Sequence, residues 1–167
     1  GGLPGAAVCG RRDLVGLMTF GADATWNRTQ RVAQNGTYNA NPVSMAATLK
    51  QLGQEKADRR IAVLGEMREL GGQSQGYHAD LADPVLDARV DVAILVGREM
   101  AALAHRLHGQ MMIRHVADSA AALEALEDIA APGDAILVKG SNAIGLSGLV
   151  REVAAGRLVK GRAACSI

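Results

Sequence analysis

The residues best suited to chemistry fall in four short clusters. Lys139-Gly140-Ser141-Asn142 joins a cation, a flexible turn and two hydrogen-bonding side chains, directly after the apolar run Ala135-Ile136-Leu137-Val138. That combination fits recognition of a carboxylate or a phosphate; the plainer alternative is a surface turn whose lysine is only solvated. Tyr38-Asn39-Ala40-Asn41-Pro42 reads as a strand end turning straight into a helix. Asn41 is a good N-cap, Pro42 suits the first helical position, Met45, Leu49 and Leu52 recur at helical spacing, and Gly53 is placed to close the helix. Such an N-terminus offers unpaired N–H groups and the positive end of the helix dipole to an anion or to the polar parts of a nucleotide. The side chains of Asn39 and Asn41 either read sugar or amide groups there, or only shape the turn and cap the helix.

Glu66 and Glu69 flank Arg68 in a loop that ends at Gly71-Gly72. A carboxylate in this place could hold a substrate ammonium; a solvent-facing pair bridged to Arg68 is the competing reading. His78 follows, beside Tyr77 and Leu81. Imidazole as a class serves proton transfer near neutral pH, which makes this residue a candidate on the substrate side, against the commoner packed or capping histidine. His105, His108 and His115 show no partner pattern, and no metal-ligand set emerges. Gly140 and Gly145 have the outer spacing of a phosphate loop, but Leu146 stands before Ser147 where Lys is required, and no GxGxxG opens a helix.

What must position these clusters is a regular alternation. Strands are expected at about 31–37, 61–64, 91–96, 112–116 and 134–138, with helices at about 42–52, 73–87, 98–108, 118–131 and 144–155. Ile61–Leu64, Val92–Val96 and Ala135–Val138 are continuously apolar, as strands buried on both faces of a parallel sheet are. Met100, Leu103, Ala104 and Leu107 give one covering helix its stripe; Leu123, Leu126 and Ala130 give another, behind the capping candidates Asp118 and Ser119. With right-handed crossovers the result is a doubly wound, mostly parallel, Rossmann-like α/β sheet with helices on both faces. Pro84 predicts a kink or break in the helix over 73–87, and Pro132-Gly133-Asp134 a tight turn into the last strand. In such sheets ligands gather at the carboxyl ends of the strands, and there the alternation brings Tyr38–Asn41, Gly65–Glu69, Gly97-Arg98 and Lys139–Asn142 together.

Composition narrows the class. With 167 residues the chain holds one sizeable core: an irregular segment over 1–33, a domain over 34–156 and a basic tail over 157–167. A formal net charge of +1 gives no field for nucleic acid or an anionic membrane, and 2% aromatic residues leave no stacking platform for bases. Cys9 and Cys165 lie near opposite ends, which suits free thiols in a reducing, cytoplasmic setting. No apolar run is long enough to span a bilayer and the start lacks the pattern of a signal peptide. The absence of an initiating Met points to a fragment or a processed chain.

Four blocks, in order, carry a family resemblance: Tyr38-Asn39-Ala40-Asn41-Pro42; Ala62-Val63-Leu64-Gly65-Glu66-Met67-Arg68-Glu69-Leu70-Gly71; His78; and Leu137-Val138-Lys139-Gly140-Ser141. Together they resemble the C-terminal domain of the Mur ligases, over about residues 34–156. The resemblance implies part of an ATP-dependent amide-bond ligase of peptidoglycan precursor synthesis, in cell wall biogenesis and cell shape. Such an enzyme activates a carboxylate of a UDP-MurNAc-tripeptide as an acyl phosphate with ATP and magnesium, and this domain presents the amino substrate, here D-alanyl-D-alanine. It implies Tyr38, Asn39 and Asn41 near the nucleotide and Lys139 and Ser141 near the acceptor, with Glu66, Asn142 and His78 as further substrate-side candidates. It also implies partner domains, the N-terminal and central ligase domains, that carry the phosphate loop and the metal ligands. The family has an acidic residue shortly before the tyrosine, where this chain has Asn35-Gly36-Thr37. A chain without a phosphate loop is expected not to ligate alone. The alternative is a non-catalytic Rossmann-like binding or scaffold domain that has lost the reaction.

Overall fold

The computed structural model describes residues 42–154. The expected strand at 31–37, the tail, and the candidates Tyr38, Asn39 and Asn41 lie outside the described residues. Within them the chain runs α1 (Pro42–Gln54), β1 (Arg59–Gly65), α2 (Ser74–Ala79), α3 (Ala82–Asp87), β2 (Val92–Val96), α4 (Ala101–Leu107), β3 (Met112–Val116), α5 (Ser119–Ile129), β4 (Asp134–Lys139) and α6 (Ser147–Ala154), with single 3-10 turns at Gly71–Gln73, Arg98–Met100 and Asn142–Ile144.

The four strands are all parallel, in the order β3-β2-β1-β4. Because successive side chains point to opposite faces of a strand, each apolar run feeds two cores. Ala62, Leu64, Ala93 and Leu95 pack under α1 to α4 with Met45, Leu49, Val85, Leu103 and Leu107. Ile61, Val63, Val92, Ile94 and Val96 pack on the other face with Ala122, Leu126, Leu146 and Leu149 of the α5–α6 side. Helices therefore cover both faces, as the continuous apolar strands require.

Two local expectations are corrected, and the break expected at Pro84 is found just ahead of it. Gly53 does not end α1, which runs through Gln54; a Cβ on Gly53 would lie 3.0 Å from the Ala88 Cα, so the glycine serves a close approach between α1 and the end of α3. The helix expected over 73–87 is two short helices that part at Asp80-Leu81, ahead of Pro84. Pro84 is the third residue of α3, where its missing N–H would have had no helical partner. Finally, β4 is half-buried along its whole length rather than enclosed. It is the sheet's edge among the described residues, paired only with β1.

The amino end of that edge pair is clamped. Arg59 donates from Nε and Nη2 to the two carboxylate oxygens of Asp134, at 3.0 and 2.8 Å, and from Nη2 to the Ile129 carbonyl at 2.9 Å. A bidentate guanidinium–carboxylate contact fixes geometry as well as charge. At the opposite end of α5, Asp118 caps the helix by accepting the Ala121 N–H at 2.9 Å. Asp118→Ala is expected to lower stability by about 1 kcal/mol, and Asp118→Asn to keep most of it. Urea unfolding of the pair tests this; equal losses for both would remove the cap from the account.

Candidate functional site

From β1 the sheet grows through β2 to β3, with α2 to α4 on one face; α5 then crosses the other face and returns the chain to β4, beyond β1. Strand order therefore reverses at the carboxyl ends of β1 and β4, the place where open parallel sheets hold their ligands. The Glu66 loop leaves β1 there, and Lys139–Asn142 leaves β4 there.

The two exits touch through glycine. A Cβ on Gly140 would lie 2.9 Å from the Gly65 Cα, 3.1 Å from the Gly65 nitrogen and 2.9 Å from Leu146 Cδ1. This closeness lets the loops share a backbone hydrogen bond, Ser141 N–H to the Glu66 carbonyl at 3.2 Å. Beside it lies a cavity of about 200 Å³ lined by Lys139, Gly140, Ser141, Asn142, Ser147 and Val150, among others. Lys139 is partly buried, and burial pushes its ammonium below the usual lysine pKa. The folded chain thus holds the charged form less readily than water does, and an anion in the cavity would favour it again. For the same reason the Lys139 contribution to stability rises with pH from its lowered folded pKa to its unfolded one.

Glu66 is placed at this edge but turned inward. Its side chain is 7% exposed; one oxygen meets Arg68 Nη2 at 2.7 Å and the other accepts the Glu99 N–H at 3.2 Å. The pair with Arg68 that the sequence suggests is present, with only the arginine reaching solvent. Room for the carboxylate comes from Gly97, whose Cβ would fall 2.6 Å from Glu66 Oε2 and whose φ of +102° is itself a glycine conformation. Arg98 is almost fully exposed and only loosely paired with Glu99, at 3.7 Å.

His78 is completely buried. Its Nε2 accepts the Met67 N–H at 2.9 Å and its Nδ1 donates to the Ser74 carbonyl at 2.7 Å. That is the geometry of the packed, bonded histidine among the two readings, and no ring nitrogen is left for a substrate. His115, which shows no partner in the sequence, donates from Nε2 to the Gly97 carbonyl at 2.8 Å and so steadies the turn that makes room for Glu66. Only its place near the end of β3, across from the Gly97 turn, could have signalled this. Among the described residues no group of three or more His, Cys, Asp or Glu is placed to hold a metal ion, and no helix is long and apolar enough to cross a membrane.

A cation-bearing loop and its cavity at the switch point of a doubly wound parallel sheet define a Rossmann-like α/β domain with a candidate ligand site. The Mur ligase, glutamate ligase domain family matches residues 27–142, and the chain belongs to that family. It is 39% identical over 142 residues to the UDP-N-acetylmuramoyl-tripeptide-D-alanyl-D-alanine ligase of Mycobacterium bovis, covering 71% of this chain and 28% of that protein. Among solved structures it is similar to MurF from Acinetobacter baumannii, with a TM-score of 0.61 and 29% identity over 70% of this chain and 26% of that one. The fold alone is shared with a MurF ligase from Thermotoga maritima in complex with ADP, at a TM-score of 0.55 and 22% identity over 68% of this chain and 26% of that one. The chain spans about a quarter of the length of the curated relatives it matches.

Proposed function

We propose that this chain is the acceptor-presenting C-terminal domain of an ATP-dependent ligase of peptidoglycan precursor synthesis. It positions D-alanyl-D-alanine for attack on the acyl phosphate of a UDP-MurNAc-tripeptide. The observation that carries this reading is the Lys139–Asn142 loop, held against β1 beside its own cavity at the switch point. Lys139 suits the dipeptide carboxylate, and Ser141 and Asn142 suit its peptide group. Holding that end fixed leaves the amine to attack the activated carbonyl, with phosphate as leaving group. The domain would contribute positioning and charge neutralisation, with no covalent step of its own.

ATP with magnesium would supply the activation of the carboxylate. Tyr38, Asn39 and Asn41 would be this chain's share of the nucleotide site, the rest being held by partner ligase domains. Glu66 would steady the loop, since both its oxygens are engaged within the fold.

Calorimetric titration with D-alanyl-D-alanine, with L-alanyl-L-alanine as control and each repeated with magnesium-ATP, tests the reading. Selective binding of the D,D-dipeptide is expected. Lys139→Met should weaken it about 10- to 100-fold, the worth of one hydrogen bond to a charged group. Equal binding of both dipeptides, or binding indifferent to Lys139→Met, would overturn the assignment. No binding at all would favour a scaffold domain that has lost the reaction, a reading that Gly36 in place of the family's acidic residue supports.

A further inference from the structure

His78 lies on the side of the Glu66 loop away from β4, yet a single peptide group connects it to the acceptor loop. The Glu66–Met67 peptide turns its N–H to His78 Nε2, at 2.9 Å, and its carbonyl to the Ser141 N–H, at 3.2 Å. A trans peptide is planar, with N–H and C=O pointing in opposite directions, so orienting one orients the other. The Met67 N–H also has no strand partner. Glu66 still donates to the Val96 carbonyl at 3.0 Å, but β1 ends at Gly65 and the next donor is taken up by the imidazole.

The histidine is in turn fixed. A carbonyl can only accept, so the bond from His78 to Ser74 places the ring proton on Nδ1 and leaves Nε2 bare for Met67. The bond to Met67 is buried and shielded from water, and the bond to Ser74 is partly so. We propose that His78 is a positioning residue: through the Glu66–Met67 peptide plane it aims the Glu66 carbonyl at Ser141 and so sets the acceptor loop. It touches no substrate. The importance of the loop rests on the reading given above, whereas the coupling itself does not.

The coupling can be observed in the full 167-residue chain without any ligand, by nuclear magnetic resonance after isotope labelling. Long-range imidazole correlations should show His78 neutral, with its proton on Nδ1. His78→Gln keeps an acceptor near the Nε2 position; His78→Met removes it at similar volume. In the Met variant the Ser141 amide is expected to shift and to exchange with solvent at least about tenfold faster, the factor for an opening equilibrium eased by 1.4 kcal/mol. The Gln variant should restore it, and the Ala121 amide, held by Asp118, should not respond.

A Ser141 amide indifferent to the Met substitution, or a proton on His78 Nε2 in the unaltered chain, would overturn the proposal. Should the Met variant fail to fold, the tautomer and the Gln variant decide it: Nδ1–H with a protected Ser141 supports it, and an unprotected Ser141 in a folded Gln variant overturns it. Titrating the same samples with D-alanyl-D-alanine separates the two claims. No binding to the unaltered chain, with the Ser141 response intact, counts against the acceptor reading alone. Binding with Ser141 indifferent to His78 counts against the coupling alone.

Discussion

Gly140→Ala is expected to cost about 3 kcal/mol of folding free energy, near the upper end for forcing an extra methyl into a packed interior. The new Cβ would lie 2.9 Å from the Gly65 Cα and 3.1 Å from its nitrogen, both of them backbone atoms of β1. Backbone in the middle of a parallel sheet cannot swing aside as the end of a side chain can, so the two strand exits would have to part. Gly65→Ala provides the contrast. Its Cβ would first meet the side-chain atoms Leu146 Cδ1 at 3.0 Å and Ile144 Cγ2 at 3.2 Å, before the Gly140 Cα at 3.3 Å. About half the loss is expected there, roughly 1–2 kcal/mol. Urea unfolding midpoints at constant slope compare the two. Similar, small losses would mean that the β1 and β4 exits are not held in contact.

Ile94→Ala should be equally severe, at about 3–4 kcal/mol, because it combines lost apolar transfer with a cavity that cannot collapse. Ile94 is completely buried at the middle of β2, between β1 and β3 and against the α5 face. Ile113 makes the opposite case. It sits on the edge strand β3, is only partly buried, and packs against the other core. Ile113→Ala is expected to cost about 1 kcal/mol, since much of the side chain already faces water and the gap can fill from solvent. Equal losses at the two positions would contradict the order of the sheet.

The strand alternation is legible because the two central strands report their own burial. Val92–Val96 is apolar at every position, and every position is enclosed. The half-buried state of β4 is not legible, because its sequence is just as apolar and only the pairing order puts it at an edge. Helix boundaries follow a similar division. Asp118 announces its cap locally, and Pro84 signals a break that falls just ahead of it, whereas Gly53 carries a stop signal that packing against Ala88 overrides.

The site divides in the same way. The placing of Lys139–Asn142 follows from strand plus loop, so sequence reaches it. What becomes of Glu66 depends on the space left by Gly97, 31 residues along the chain, and the role of His78 depends on a backbone donor eleven residues before it, at Met67. Periodicity carries no signal for either. The Tyr38–Asn41 expectation lies outside the described residues.

The β1–β4 pairing also sets an order of events. Arg59 stands opposite Asp134, 75 residues away in sequence, whereas β1–β2 and β2–β3 join near neighbours along the chain. Contacts across such long separations close late in folding, because the entropy of the intervening loop is lost before the pairing can offset it. A polypeptide emerging from the ribosome would therefore assemble β1 to β3 while the exit of β1 still lacked its partner. The proposed acceptor site would be completed only when β4 docks and Ser141 reaches the Glu66 carbonyl. A partly folded intermediate would have a sheet and a core but not the Ser141–Glu66 contact that joins the two strand exits.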